Sequence, residues 1–284
     1  MNYRHAFHAG NFADVLKHAI LALALRRLAV KDAPFFYLDT HAGAARYALA
    51  GAEAARTGEA HDGILRLLGG GDPHPGLRPY LEVVRTLNAG EAGCVRYPGS
   101  PWIARKMTRP QDRLLLCEVQ HDALRELRRA TAGDRRIEVR EADGWAALKS
   151  DLPPAERRGL VLVDPPFEAR DDLERLARGL RHAHRRFATG VLAAWYPVKT
   201  RSAADALHAA ILAAGIRRVL VAELLVRAPA AEDAVSPRMA GSGMVVVNPP
   251  WTLAQTLSGL LPWLVARLAQ GPGAAYRLET LAGD

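Results

Sequence analysis

The sequence predicts an α/β fold built on a doubly wound, mostly parallel sheet, and three observations carry that prediction. Seven short runs read as strands, most of them apolar at nearly every position: 35–38, 114–118, 137–140, 160–163, 191–195, 219–225 and 244–247. Such runs mark strands buried on both faces rather than on one. Between several of them lie stretches with apolar residues three or four apart (120–130, 172–187 and 202–214), the period of helices that cover a sheet. Finally, acidic residues follow the strands at Asp39, Glu118, Asp143 and Asp164. Ligands of open α/β sheets bind just beyond the carboxyl ends of strands.

Taken in order, the first strand is entered after Pro34 and ends at Asp39. The next begins 75 residues later at Leu114, whereas one crossover helix needs roughly 20–30 residues. The excess carries helical patterns of its own at 62–68 and 77–87, and turn clusters at Gly69-Gly70-Gly71-Asp72-Pro73 and Tyr97-Pro98-Gly99-Ser100-Pro101. Residues 46–99 therefore read as an inserted small helical subdomain, leaving 1–45 and 100–284 as the main domain. Residues 228–243 read as the one long, mobile loop.

Of 284 residues, 49% are hydrophobic and 24% charged, the composition of a chain that folds around a core and not of a disordered one. The net charge is +8, which suits an anionic partner such as nucleic acid. Half of it falls within residues 1–31, where Arg4, Lys17, Arg26, Arg27 and Lys31 stand against Asp14 alone. Cys94 and Cys117 form neither a framework nor a CxxC pair, as in a reducing cytoplasm. The apolar stretch 19–25 is broken by Arg26 and Arg27, far short of a membrane span or a secretory leader. His5, His8 and His18 have no acid or cysteine partner in the pattern of a metal site, and no coiled-coil seam argues for an oligomer. The expectation is a cytoplasmic monomer without metal.

Each strand end then contributes to one constellation. After the first strand comes Asp39-Thr40-His41-Ala42-Gly43-Ala44, which is not the G-x-G-x-x-G of dinucleotide enzymes. Its glycine turn suits close approach of a ligand without phosphate. Glu118 can accept hydrogen bonds from both hydroxyls of a ribose, and Asp143 from an adenine amine. Asp143 is equally suited to capping the helix that starts at Trp145. Together these acids have the layout of a nucleoside site.

The fourth strand delivers Asp164-Pro165-Pro166-Phe167. This tetrapeptide resembles the amino-methyltransferase motif of S-adenosylmethionine enzymes, and its chemistry explains the residue types. The lone pair of an exocyclic adenine amine is delocalised into the ring, so the nitrogen is a poor nucleophile. The Asp164 carboxylate and the Pro165 carbonyl can hold its two protons and favour a tetrahedral nitrogen. The prolines fix φ, and Phe167 offers a face on which a flipped base stacks. In-line methyl transfer then depends mainly on positioning. A second tetrapeptide, Asn248-Pro249-Pro250-Trp251, fits the same pattern but lies 84 residues later behind the last strand, where it reads as a turn into a helix near Thr252.

The start Asn2-Tyr3-Arg4-His5-Ala6-Phe7-His8-Ala9-Gly10-Asn11-Phe12-Ala13-Asp14-Val15-Leu16-Lys17-His18 resembles the N-terminal signature of the RlmJ family, the bacterial 23S rRNA (adenine(2030)-N6)-methyltransferases. Leu38-Asp39-Thr40-His41-Ala42-Gly43, Tyr97-Pro98-Gly99-Ser100-Pro101, Asp164-Pro165-Pro166-Phe167 and Gly241-Ser242-Gly243-Met244 with Asn248-Pro249-Pro250-Trp251 are similar to it too. The resemblance implies a class I S-adenosylmethionine-dependent methyltransferase, Rossmann-like, with a seven-stranded mostly parallel sheet and a helical insertion. It implies S-adenosyl-L-methionine as cofactor, held by His18, His41, Ser100, Glu118, Asp143, Gly144 and Asp164. Asp164 would be catalytic, and Tyr3, Pro165 and Phe167 would meet the 23S rRNA substrate. Ala44 and Ala45 depart from the pattern, standing where more glycine is usual. The basic N-terminal segment is expected to lie over the site and reach RNA phosphates. The alternatives are a DNA adenine-N6 methyltransferase, for which the uncharged insertion is the only candidate reading module, and a non-catalytic RNA-binding or assembly protein on the same scaffold.

Overall fold

The computed structural model describes residues 5–282 apart from 170, 233 and 236. In chain order its elements are α1 (Phe12–Ala29), β1 (Phe36–Asp39), β2 (Arg46–Ala48), α2 (Ala52–Thr57), α3 (Ile64–Leu68), α4 (Arg78–Leu87), β3 (Arg96–Pro98), α5 (Ser100–Met107), β4 (Arg113–Glu118), α6 (His121–Thr131) and β5 (Ile137–Glu141). Then follow α7 (Gly144–Ser150), β6 (Gly159–Val163), α8 (Asp172–Arg186), β7 (Val191–Val198), α9 (Arg201–Ala213), β8 (Val219–Leu225), β9 (Gly241–Val247), α10 (Leu253–Leu268) and β10 (Ala275–Ala282).

The main sheet has the order β10-β8-β9-β7-β6-β1-β4-β5. Strands β5, β4, β1, β6 and β7 are parallel neighbours, with Leu38 opposite Leu115 on one side and Val161 on the other. Strand β9 runs antiparallel between β7 and β8. The sheet has eight strands rather than the expected seven, because β10 adds antiparallel to β8. Its residues alternate in exposed and half-buried pairs along an open edge, so no apolar run marks it.

Helices cover both faces. Leu114, Leu116, Leu160 and Leu162 point toward the side of α1, α4, α5 and α10, where they join Leu16, Ile20, Leu81, Ile103 and Leu257. Leu115, Val161 and Val163 point to the side of α7, α8 and α9 and meet Leu148, Leu176, Leu180 and Ile211. Each such leucine, fully buried, contributes about 1.5–3 kcal/mol. Helix α1 is buried on nearly every side, wedged between the sheet and α4, α5 and α10. That is why its sequence shows no polar stripe. Asn11 starts it, its side chain accepting from the amides of Ala13 and Asp14 at 2.9 and 3.0 Å.

Residues 46–99 carry α2, α3 and α4. The chain leaves and returns through a small antiparallel ribbon, β2 on β3, with Tyr47 opposite Tyr97. Ile64, Tyr80, Leu81 and Tyr97 belong to the same buried cluster as α1, so this segment packs onto the main core rather than building its own. No helix among the described residues is long and apolar enough to cross a membrane.

Candidate active site

A cleft of about 1330 Å³ opens at the carboxyl ends of β1, β4, β5 and β6. His18, His41, Ser100, Glu118, Asp143, Gly144, Asp164, Pro165 and Phe167 all line it. Tyr3 lies outside the described residues.

The loop after β1 forms the floor. Gly43 has φ +66, and a side chain there would run into the Tyr47 hydroxyl. Ala45 also has a positive φ of 65, so an alanine takes a conformation that favours glycine. Gly144 opens α7 against Thr40, where an added Cβ would stand 2.6 Å from the Thr40 carbonyl carbon. Asp39 is buried behind the floor; burial pushes its pKa up to about 6, against the pull of Ser100 and of the Tyr37 hydroxyl, which donates at 2.8 Å.

Glu118 is already engaged. Its Oε2 accepts from the Gly43 amide at 2.7 Å, and its Oε1 from the amides of Val119 and Gln120 at 2.8 and 2.7 Å. A carboxylate has about four acceptor positions, so these bonds orient it and leave less capacity than two free oxygens would offer a ribose. Asp143 does both things open to it: its side chain caps α7 through the Trp145 amide at 3.0 Å, and it faces the cleft.

Two histidines are held neutral. Burial lowers the His18 pKa to about 3, and its Nδ1 shares a hydrogen bond of 2.7 Å with the Tyr97 hydroxyl. Burial likewise lowers His41 to about 4, with Nδ1 2.8 Å from Thr40 Oγ1.

Asp164 does not stand alone. Its Oδ2 accepts from Lys17 Nζ at 2.6 Å, and the same ammonium lies 2.8 Å from Asp14 Oδ1. Asp14 Oδ2 in turn accepts from the Gly10 amide at 2.9 Å and meets His5 Nε2 at 3.0 Å. Burial works to neutralise both partners, yet His5 and Lys17 hold Asp14 well below the usual carboxylate range, and Asp14 and Asp164 hold Lys17 well above the usual amine range. A chain of four ionisable groups thus runs from His5 to the tetrapeptide. Above it, the Phe167 ring meets Trp195 edge-on at 5.3 Å, and Trp195 is fixed by its indole N–H on Ser242 Oγ at 2.9 Å.

Sequence reasoning missed Lys17, Asp14 and Trp195 as site residues. Asp14 and Lys17 sit one helical turn apart on α1, and Trp195 lies in the strand beside the tetrapeptide; these spacings were the available signals. The expected basic mouth is also not what the fold builds. Lys17 is only 4% exposed and spent on two carboxylates, while Arg26 and Arg27 lie toward the other end of α1 and Lys31 just beyond it, about 13 Å or more away at roughly 1.5 Å per residue. Arg4 is outside the described residues. The cleft itself is lined by nine carboxylates against four Lys or Arg.

His5 and His8 pair with Asp14 and Glu59, and no group of three or more His, Cys, Asp or Glu among the described residues is placed to hold a metal. The second tetrapeptide follows the antiparallel strand β9, which puts Asn248 at the opposite edge of the sheet from Asp164.

Residues 32–280 match the family model described as ribosomal RNA large subunit methyltransferase D, RlmJ. The chain is 45% identical over 269 residues, 94% of each chain, to ribosomal RNA large subunit methyltransferase J of Escherichia coli (strain K12). It is 42% identical over the full length of both chains to the protein of the same name from Haemophilus influenzae. A crystal structure of a Legionella pneumophila protein superposes with a TM-score of 0.86 at 30% identity, covering 96% of this chain and 98% of that one. With its eight-stranded, mostly parallel α/β sheet, this chain belongs to the RlmJ family of ribosomal RNA large subunit methyltransferases.

Proposed function

We propose that the protein transfers a methyl group from S-adenosyl-L-methionine to the N6 amine of an adenine in 23S rRNA, adenine 2030 by resemblance. The observation that carries this reading is Asp164-Pro165-Pro166-Phe167 at the carboxyl end of β6, facing a cleft that also receives Glu118 and Asp143. The excess of carboxylates suits a cofactor bearing a sulfonium and an ammonium group. His18, His41, Ser100, Glu118, Asp143, Gly144 and Asp164 would hold it. The cofactor supplies an electrophilic methyl group; the rest is the work of the chain.

Asp164 and the Pro165 carbonyl accept hydrogen bonds from the two N–H groups of a flipped adenine amine, and the methylated amine then loses one proton to water. Lys17 occupies one Asp164 oxygen, leaving the other oxygen for the base. Phe167 and Trp195 supply aromatic walls for the ring, and Tyr3, by resemblance, would meet the RNA. We read 46–99 as an insertion entered and left through the β2–β3 ribbon, acting by shape because its six arginines balance six acids. We read the protein as a cytoplasmic enzyme, in keeping with relatives named for a ribosomal RNA substrate.

The test is labelled methyl transfer to unmodified 23S rRNA, with mass mapping of the product. N6-methyladenosine at one site is expected, abolished in Asp164→Ala with the fold intact. Label appearing only on duplex DNA, or full activity of Asp164→Ala, overturns the reading.

A further inference from the structure

Trp251 is 74% exposed, and the site above makes no use of it. It follows β9, whose last residue Val247 pairs with Leu192 and is level with Val219, at the starts of β7 and β8. It therefore lies at the amino edge of the sheet, away from the cleft. The end of α1 reaches the same edge. Arg158, just before β6, donates to the carbonyls of Leu28 and Ala33, and the Arg27 guanidinium lies 5.7 Å from the centroid of the Trp251 ring.

This tryptophan is held out rather than left loose. Asn248 takes φ +51, a conformation asparagine tolerates better than most residues, and its side-chain amide donates to Ala188 O and Gly190 O, both at 2.8 Å. Its backbone N–H donates to Arg218 O at 2.9 Å. Pro249 and Pro250 then fix φ. An exposed indole carried on a pinned turn, with an arginine over its ring, is the form of a base-stacking platform.

Charge indicates the occupant. Arg26, Arg27, Lys31, Arg185 and Arg217 cluster on this edge by position in the fold, and none makes an ion pair with a carboxylate among the described residues. The other basic cluster, on and after α6, differs: Arg125, Arg129 and Arg136 are each paired with an acid. The cleft is acidic on balance, so a polyanionic substrate finds its phosphate contacts elsewhere.

We propose that this edge is a second RNA-docking surface, with Trp251 stacking on an unpaired base and Arg27 and its neighbouring cations meeting the phosphates of RNA that flanks the target. This rests on the rRNA reading above. Single-stranded RNA is favoured because stacking accepts any base while the cations follow the backbone.

The experiment compares two RNAs, a short stem-loop carrying the target adenine and a long 23S rRNA fragment containing it, bound to wild type, Trp251→Ala and Arg27→Ala/Arg217→Ala. Wild type should bind the long fragment more tightly. Each variant should lose about fivefold or more of that affinity while keeping its affinity and turnover on the stem-loop. In the double arginine variant the salt slope on the long fragment should fall by about 1–2. If the variants bind the long fragment as wild type does, with an unchanged salt slope, the surface is not an RNA site. If wild type binds neither RNA but binds duplex DNA, the rRNA reading fails and the surface falls with it.

Discussion

Lys17 Nζ lies 2.6 Å from Asp164 Oδ2 and 2.8 Å from Asp14 Oδ1, so one buried ammonium joins the first helix of the fold to the tetrapeptide after β6. The first prediction follows from its removal. Lys17→Met leaves Asp14, almost fully buried, without the ammonium it shares with Asp164, and breaking a buried pair from one side costs about 3–5 kcal/mol. A drop in melting temperature is expected together with loss of methyl transfer. The double variant Asp14→Asn/Lys17→Met should recover much of the stability and none of the activity. Recovery of activity in that double variant would show that the pair only supports the fold.

Glu59 gives a second prediction. It lies just after α2 and joins His8 Nδ1 at 2.9 Å while accepting from Asn11 Nδ2 at 2.8 Å. The Ile64 amide donates to Gly10 O at 2.8 Å, so the 46–99 segment grips the chain between His5 and α1. Glu59→Ala should lower turnover about tenfold or more, the scale of one lost charge-assisted hydrogen bond, with a change of only a few degrees in melting temperature. Glu59→Gln, which keeps an acceptor for Asn11, should lie between. Turnover equal to wild type in both variants would sever the 46–99 segment from catalysis.

The parallel half of the sheet was legible because β1, β4 and β6 are buried on both faces and so carry unbroken apolar runs. The ends of those strands, and hence the place of the cleft, followed. What the sequence hid has physical causes. Helix α1 is apolar nearly all round, so no stripe revealed its orientation, and its cations were assigned to a mouth they do not form. Strand β10 lies on an exposed edge, its exposed and half-buried residues alternating in pairs rather than one by one. Asp14, Lys17 and Asp164 come together only across the α1–β6 contact, a distance of 147 residues between Lys17 and Asp164 that no local pattern encodes.

Gly144 supports a third prediction. Its Cα faces the Thr40 backbone so closely that an added Cβ would stand 2.6 Å from the Thr40 carbonyl carbon, and backbone atoms cannot swing aside as a side chain can. Gly144→Ala must push α7 away from the β1 loop, at a cost of about 1–3 kcal/mol. Because Asp143, His41 and Gly43 sit on those two pieces, calorimetry should show S-adenosylmethionine affinity falling by more than the melting temperature suggests. Unaltered affinity would place the cofactor away from this junction.

The last prediction concerns acid. His18 has its folded pKa lowered to about 3 by burial, against 6.5 for the unconstrained side chain. Between those values the unfolded chain binds a proton that the folded chain does not, so stability falls as the pH drops from about 6.5 toward 3. The full window is worth up to about 5 kcal/mol at 1.36 kcal/mol per unit. His41, lowered to about 4, adds in the same direction, whereas Asp39, raised to about 6, opposes both by favouring the fold as it protonates. His18→Asn keeps a polar group within reach of the Tyr97 hydroxyl and cannot take up a proton. Melting temperatures followed from pH 7 to pH 4 should therefore decline less steeply in His18→Asn than in wild type, the two curves converging toward the acid end. Parallel curves would mean that His18 is protonated at the same pH in the folded and unfolded chain, contrary to its burial against Tyr97.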